Sequence, residues 1–402
     1  MQRTIAVVTT SRADYGHLYW VLRELQDHPR VDLRLIAVGA QLAEEFGRAV
    51  EEIERDGLRV HETIECLLSS DSDVGMAKTI GVATLGLADT LARIRPDLLL
   101  LIADRYELLA PASVALALRV PIAHIEGGEV SEGAIDDAVR NALTKMSHLH
   151  FVPTETARRR VLAMGEESWR VHRVGAPSID HLRRSELHGR EELERTLGVG
   201  ITDGSLLVAY HPVTIARDTL RETDALFDAL ERLDEQVLFS FPNADAGSRR
   251  LIARAETLCR SRSGSRLFVN LNPRRYWSLL REVRAMVGNS SSGIMETASI
   301  PLPTVNVGMR QQGRERAANV IDVPALSEAI LEGIRRASDP GFRKELRGLV
   351  NPYGDGTASR RIAETLAGSP LGEELLLKRA VPIPPEADQE PARSTRPCEP
   401  PT

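Results

Sequence analysis

The chain has 402 residues, 42% of them hydrophobic, enough for two domains of ordinary size with a core in each. A net charge of -6 with both signs interspersed lacks the basic stripe of a nucleic-acid surface, so the expected partner is a small molecule and not nucleic acid. Cys66, Cys259 and Cys398 stand far apart without a CxxC pair, which points away from a disulfide framework or a structural zinc site and toward a reducing compartment. The stretch after Met1 is too short for a signal h-region, and no run approaches the roughly 18 apolar residues of a membrane span. The reading is a cytoplasmic protein with no membrane partner.

Short β-branched or Leu-rich runs alternate with helical patterns, as in a parallel sheet with crossover helices. Ile5 to Val8 reads as a buried strand. After the polar turn Thr9 to Asp14, Leu18, Val21, Leu22 and Leu25 fall at helical spacing. Further strands are expected at Leu33 to Val38, Leu98 to Ile102, Pro121 to Ile125, Leu149 to Val152 and Val171 to Val174. A first lobe, residues 1–176, closes near Gly175-Ala176-Pro177. A second doubly wound series follows at Leu206 to Tyr210, Val237 to Phe241, Leu267 to Val269, Ala285 to Val287 and Thr304 to Val307, giving a lobe over 177–368. Its last helical pattern, Thr357 to Leu366, is suited to pack across the lobes. No residue-level repeat relates the two lobes. Residues 369–402, with seven prolines between Pro382 and Pro401, read as a mostly disordered tail.

In open α/β sheets ligands bind beyond the carboxyl ends of the strands, so the polar residues there are the candidates. Arg12, in Ser11-Arg12-Ala13-Asp14-Tyr15-Gly16, is placed to meet a phosphate, or else is a solvated arginine at a helix start; GxGxxG is absent. Asp104 ends the apolar run Leu98 to Ile102, as a base or as a helix N-cap. In His124-Ile125-Glu126-Gly127-Gly128-Glu129, alternation sets His124 and Glu126 on one face, and the glycines allow close approach of a ligand. Asp136 and Asp137 open a helical stretch, which acidic residues suit, and crowded carboxylates can also have one pKa raised for proton transfer. Asp104, Glu126 and Asp136 thus form an acid/base set.

In the second lobe, His211 ends a strand, and Ser290 and Ser291 precede a helix as a diphosphate cradle or as plain Ser caps. Glu296, a turn further in, would repel phosphate but accept two ribose hydroxyls. Asp71-Ser72-Asp73 has a metal-holding DxD form, and His148-Leu149-His150 has a spacing found in zinc sites. Neither has a nearby partner set, so no metal site is expected.

Taken in order from about residue 4 to 366, these segments, with Asp104-Arg105-Tyr106-Glu107, Thr144 to His148, His211-Pro212-Val213-Thr214, Phe241 to Ser248 and Gly288 to Gly293, closely resemble the hydrolysing UDP-N-acetylglucosamine 2-epimerases. Those enzymes make N-acetylmannosamine for sialic-acid synthesis. The resemblance implies a GT-B fold of two Rossmann-like lobes with the active site in the interdomain cleft, and a homo-oligomer. It implies that Arg12, His211, Ser290, Ser291 and Arg310 hold the diphosphate, with Glu296 on the ribose, Asn243 nearby and Arg105 facing the nucleotide. Asp104, Glu126, Asp136 and His148 would serve proton transfer and hydration, with no metal and no redox cofactor.

The reaction implied is loss of UDP from UDP-N-acetylglucosamine to a 1,2-unsaturated glucal, then addition of water at C1 and of a proton to the other face of C2. Two departures stand out: Asn141 where relatives usually carry His, and Ala103 where many have Gly. Loss of the imidazole at the first bears on the substrate accepted or on the proton inventory, and a related subgroup acts on UDP-N,N'-diacetylbacillosamine in legionaminic-acid synthesis. Rival readings are the non-hydrolysing 2-epimerase, a GT-B glycosyltransferase and a non-catalytic nucleotide-sugar sensor.

Overall fold

The computed structural model describes residues 2–381 except 69, 71, 242 and 270. Two all-parallel sheets carry helices on both faces. The first runs β1 (Arg3–Thr9), β2 (Val31–Val38), β3 (Val60–Ile64), β4 (Leu98–Ile102), β5 (Ile122–Ile125), β6 (Leu149–Val152) and β7 (Val171–Arg173), in spatial order β3-β2-β1-β4-β5-β6-β7. The second has β8 (Leu206–Ala209), β9 (Val237–Ser240), β10 (Arg266–Phe268), β11 (Ala285–Gly288), β12 (Thr304–Val307) and β13 (Val320–Val323), ordered β10-β9-β8-β11-β12-β13. This is the two-lobe α/β architecture that the alternating pattern calls for.

Strands buried on both faces read as unbroken apolar runs, and the five residues of β4, Leu-Leu-Leu-Leu-Ile, are all buried. Helix Arg12–Asp27 begins with a capping box between Ser11 and Asp14 and buries Leu18, Val21, Leu22 and Leu25 against the first sheet. Each such leucine contributes about 1.5–3 kcal/mol by leaving water.

The strand order reverses between β1 and β4 in one lobe and between β8 and β11 in the other. The loops after these four strands carry Arg12, Asp104, His211 and Ser290, and they face one another across a cleft. Chain crossings between the lobes lie side by side, where Ala176 N–H donates to the Tyr353 carbonyl at 2.7 Å. Helix Ala358–Gly368 then returns to the first lobe, packing Ile362 and Leu366 into its core, and Asp180 caps it by accepting from the N–H groups of Ala358 and Ser359.

The segment expected to open a disordered tail at 369 is instead folded as far as the described residues go. Leu375 is fully buried, and the buried Arg170 guanidinium donates to the carbonyls of Leu375 and Leu377. Lys378 adds an ion pair to Glu166 at 2.7 Å. A single buried leucine with carbonyls for an arginine has no periodicity to announce it. Residues 382–402, which hold the seven prolines, lie outside the described residues.

Candidate functional site

The cleft encloses about 1200 Å³ including its open mouth, ample beside the roughly 300–1000 Å³ of common small-molecule sites. Charged links close it from both sides: Arg105 to Asp245 at 2.6 Å, Asp136 to Arg310 at 3.0 Å and Arg314 to Glu129 at 3.3 Å. Each joins a first-lobe residue to one of the second lobe.

The first-lobe wall is acidic. Asp104 leaves the end of β4 and forms an ion pair with the buried Arg140 of helix Asp136–Met146. Ala103 just before it holds the left-handed conformation, φ 61°, which costs a non-glycine residue about 1–2 kcal/mol. Its carbonyl accepts from His124 Nε2 at 2.7 Å, and burial pushes that imidazole down to about 4, keeping it neutral. His124 is therefore turned beneath the loop and does not line the cleft.

Glu126 does line it, also from a left-handed backbone, φ 66°, held where its N–H donates to the Phe151 carbonyl at 2.8 Å. Such strain at a strand end is kept where it aims a functional side chain. Gly128, φ 76°, completes the turn, because a Cβ there would collide with the Ala157 carbonyl.

His17, on helix Arg12–Asp27, sets Nδ1 2.8 Å from Glu126 Oε1 and Nε2 3.7 Å from Glu296 Oε1. Burial opposes the imidazolium, yet Glu126 outweighs it and lifts His17 to about 9. Reciprocally, burial would raise the Glu126 carboxyl, but the charge and hydrogen bond of His17 hold it below the usual range. Asp136 goes the other way: burial raises it, Asp245 adds to that, and Arg310 offsets only part. One wall thus offers an ionised carboxylate and a carboxyl biased toward its protonated form.

The second-lobe wall is built for an anion. Gly288 lets β11 press against β8, so that Asn289 and Ser290 N–H groups both donate to the Ala209 carbonyl. The Asn289 side chain then clasps His211, accepting its N–H at 2.7 Å and donating to its carbonyl at 2.9 Å. His211 Nδ1 accepts from Asn243 N–H at 3.3 Å, which leaves Nε2–H as the free donor of the neutral ring. Burial, then the charge of Arg310, pushes this imidazole down to about 3.

Arg12 is held by the carbonyls of Val269 and Phe241, at 3.0 and 3.3 Å, with no carboxylate in an ion pair with it among the described residues. The buried Nε atoms of Arg105 and Arg310 have no hydrogen-bond partner among the described residues. Those two atoms are shut off from the cleft, but the Arg12, Arg105 and Arg310 side chains line it together with Ser290 and Ser291, a set of cationic and hydroxyl donors suited to a diphosphate. Glu296, by contrast, accepts from Ser292 Oγ, which takes a hydrogen bond from Tyr276 OH at 2.6 Å.

A model of the UDP-N-acetylglucosamine 2-epimerases matches residues 23–367. The chain belongs to that family. At this level it is a UDP-sugar 2-epimerase. A UDP-N,N'-diacetylbacillosamine 2-epimerase (hydrolyzing) of Legionella pneumophila is 36% identical, over 94% of this chain and 99% of its own. A UDP-N-acetylglucosamine 2-epimerase of Neisseria meningitidis is 30% identical, over 90% and 95%. In fold, the crystal structure of a UDP-GlcNAc 2-epimerase from Neisseria meningitidis bound to UDP-GlcNAc superposes with a TM-score of 0.76 at 18% identity, covering 90% of this chain and 99% of that one.

Of the site residues expected for such an epimerase, Arg12, Asp104, Arg105, Glu126, Asp136, His211, Asn243, Ser290, Ser291, Glu296 and Arg310 all line the cleft. His148 does not. Its Nδ1 accepts from Ile122 N–H at 3.0 Å at the base of β5, and burial pushes it down to about 4. Asn141 is also outside: exposed on its helix, it donates to Asp137 at 3.2 Å, so it does not border the sugar space. Asp137, in the first turn of that helix, accepts from the loop N–H of Ser131 at 2.9 Å and pairs with Arg140 at 3.7 Å.

His150 is bonded to Glu166 at 3.1 Å, and among the described residues no group of three or more His, Cys, Asp or Glu side chains is placed to hold a metal ion. Asp71 of the DxD form lies outside the described residues. No described helix is long and apolar enough to cross a membrane.

The sequence reading missed His17, Arg140, Asp245 and Arg314. His17 directly follows Ser11 to Gly16, in the second turn of the helix and on its cleft side. That position was the available signal. The other three are partners that only the folded lobes bring near.

Proposed function

We propose that the protein hydrolyses a UDP-2-acetamido sugar with inversion at C2. The observation that carries this reading is one cleft in which Asp104, Glu126 and Asp136 face spare Arg, His and Ser donors across the lobe boundary. Glu126, held ionised, removes the C2 proton as the C1–O bond breaks and its electron pair leaves with UDP. The C2–H pair becomes the C1=C2 bond. Arg12, Arg310 and His211 take the charge gathering on the diphosphate, each preorganised donor contributing about 3 kcal/mol to the barrier by analogy with oxyanion sites.

Water then adds at C1, giving its proton to Asp104, while Asp136 protonates C2 from the opposite face. Atoms balance as UDP-sugar plus water to UDP plus the free 2-epimer. His148, away from the cleft, has no part.

The hydrolysing relative named above supports UDP-N,N'-diacetylbacillosamine as the preferred substrate. A second reading, UDP-N-acetylglucosamine to N-acetylmannosamine, is supported by the 30% identical relative of that name. Supplying each nucleotide separately and identifying the released sugar by NMR decides between them. Release of free 2-epimer and UDP from either supports the reaction, whereas turnover of neither refutes it.

A homo-oligomer belongs to the same reading. Helix Asp73–Ile94 leaves Val74, Val82 and Leu85 exposed at 62, 39 and 75%. Laid antiparallel on its own copy about the point between Ala83 and Thr84, it sets Val82 against Leu85 and exposed Lys78 against exposed Asp89, an apolar seam with complementary charge.

A further inference from the structure

His17 touches ionisable groups on both walls. Nδ1 is 2.8 Å from Glu126 of the first lobe, and Nε2 is 3.7 Å from Glu296 of the second. The helix is held where this can happen: His181 Nε2 donates to the Gly16 carbonyl at 2.9 Å. Nothing about packing asks for an imidazole here, since the next inward positions of the helix are Leu18, Val21 and Leu22.

The charged groups facing the ring are Glu126 from the end of β5, Glu296 beyond β11, and Asp14 one turn earlier on the same helix. His181, the other titratable neighbour, is pushed down to about 4 by burial and stays neutral. Three nearby acids and a neutral histidine leave a protonated ring, with an N–H toward each wall.

We infer that His17 is a positioning residue for proton transfer at C2, which holds Glu126 ionised and aimed into the cleft and engages Glu296 only until the nucleotide takes that carboxylate. This rests on the reading of Glu126 as the acid/base group and of Glu296 as a ribose ligand. Glu126 has a left-handed backbone and two freely rotating methylenes, so its carboxylate needs an anchor; the Nδ1–H supplies one and the imidazolium charge suppresses protonation. Glu296, shared between Ser292 and His17, turns to the ribose when UDP-sugar enters. The ring then faces Glu126 with its charge less divided.

The test is His17→Gln, with His17→Lys as the variant that restores the cation. In His17→Gln, kcat falls and the acid limb of the kcat/KM pH profile moves up by about one unit or more, because Glu126 loses its opposite charge. UDP binding, measured by calorimetry, stays unchanged or tightens, since Glu296 is released from a competitor. His17→Lys returns the limb toward that of the parent.

An unmoved limb, or UDP affinity lost together with kcat, overturns the inference. Independently, 15N NMR of the imidazole in the full-length protein is expected to give a ring titrating well above its ordinary value of about 6.5 in the parent and dropping in Glu126→Gln. Titration near the ordinary value in the parent overturns the pairing outright. Absence of turnover in the parent would instead refute the reaction, while the ring titration would still report on the pair.

Discussion

Asn289 is the tie between the loops after β8 and β11, so removing its side chain tests whether His211 is positioned as described. In Asn289→Ala, two hydrogen bonds to the His211 backbone, of 2.7 and 2.9 Å, disappear together. Asn289 is fully buried, so little water can replace them. Two net bonds of about 1 kcal/mol each, with a further 1–2 kcal/mol for groups left unpaired, give a loss of roughly 3–4 kcal/mol. For a lobe of this size that lowers the unfolding midpoint by about 6–16 °C.

His211 also loses its aim at the cleft, so UDP binds about tenfold or more weakly, the equivalent of roughly 1.4 kcal/mol. Asn289→Asp keeps the acceptor for the His211 N–H but sets a charged oxygen against its carbonyl and beside the diphosphate, and should bind UDP more weakly than the alanine variant. Scanning calorimetry and titration calorimetry with UDP read both effects. An alanine variant melting within about 1 °C of the parent, with the same affinity for UDP, would refute this account of the wall.

Asp104→Asn should leave UDP affinity within about threefold of the parent while kcat drops by about 10²–10⁴, and its midpoint should fall as well, because the buried Arg140 loses the nearer of its two carboxylate partners. Steady-state kinetics beside UDP titration checks this, and a near-normal rate removes Asp104 from the chemistry. The Glu166 carboxyl, raised by burial but more strongly lowered by the hydrogen bonds of His150, Lys145 and Lys378, sits at about 2 in the fold. Its contribution to stability is present above the unfolded value near 4.3 and is lost as pH falls from there toward 2. Melting temperature should therefore fall more steeply across that window in the parent than in Glu166→Gln, and equal slopes would contradict the pairing. Leu85→Glu, read by light scattering, should shift the mass toward that of the monomer, and an unchanged mass would take the seam off this helix.

Much of the cleft was legible because a parallel sheet delivers its polar loops at predictable places. Asp104 after Leu98 to Ile102, and Ser290 after Ala285 to Val287, needed only the strand to be recognised. What the periodicity missed has physical reasons. β3 and β13 are edge strands with partly exposed residues, so neither shows the apolar run of a central strand. His148 carried the right residue type but lies before β6, at the opposite end of the sheet from the loops that line the cleft, and is spent on a backbone N–H.

Asn141 is exposed, bonded to the half-buried Asp137 one turn before it on the helix, so a substitution that looks chemical in sequence lies outside the cleft in space. His17 and Arg140 were hidden for the converse reason. Each is an ordinary-looking helix residue until tertiary packing sets a carboxylate beside it.

Isotope labelling of the turnover tests the central claim most directly. With the preferred UDP-sugar in D₂O enriched with D₂¹⁸O, elimination and hydration predict one deuterium at C2 of the released sugar and no ¹⁸O in UDP, because the bond broken is C1–O. A sugar without deuterium at C2, or ¹⁸O appearing in the β-phosphate of UDP, would contradict the account.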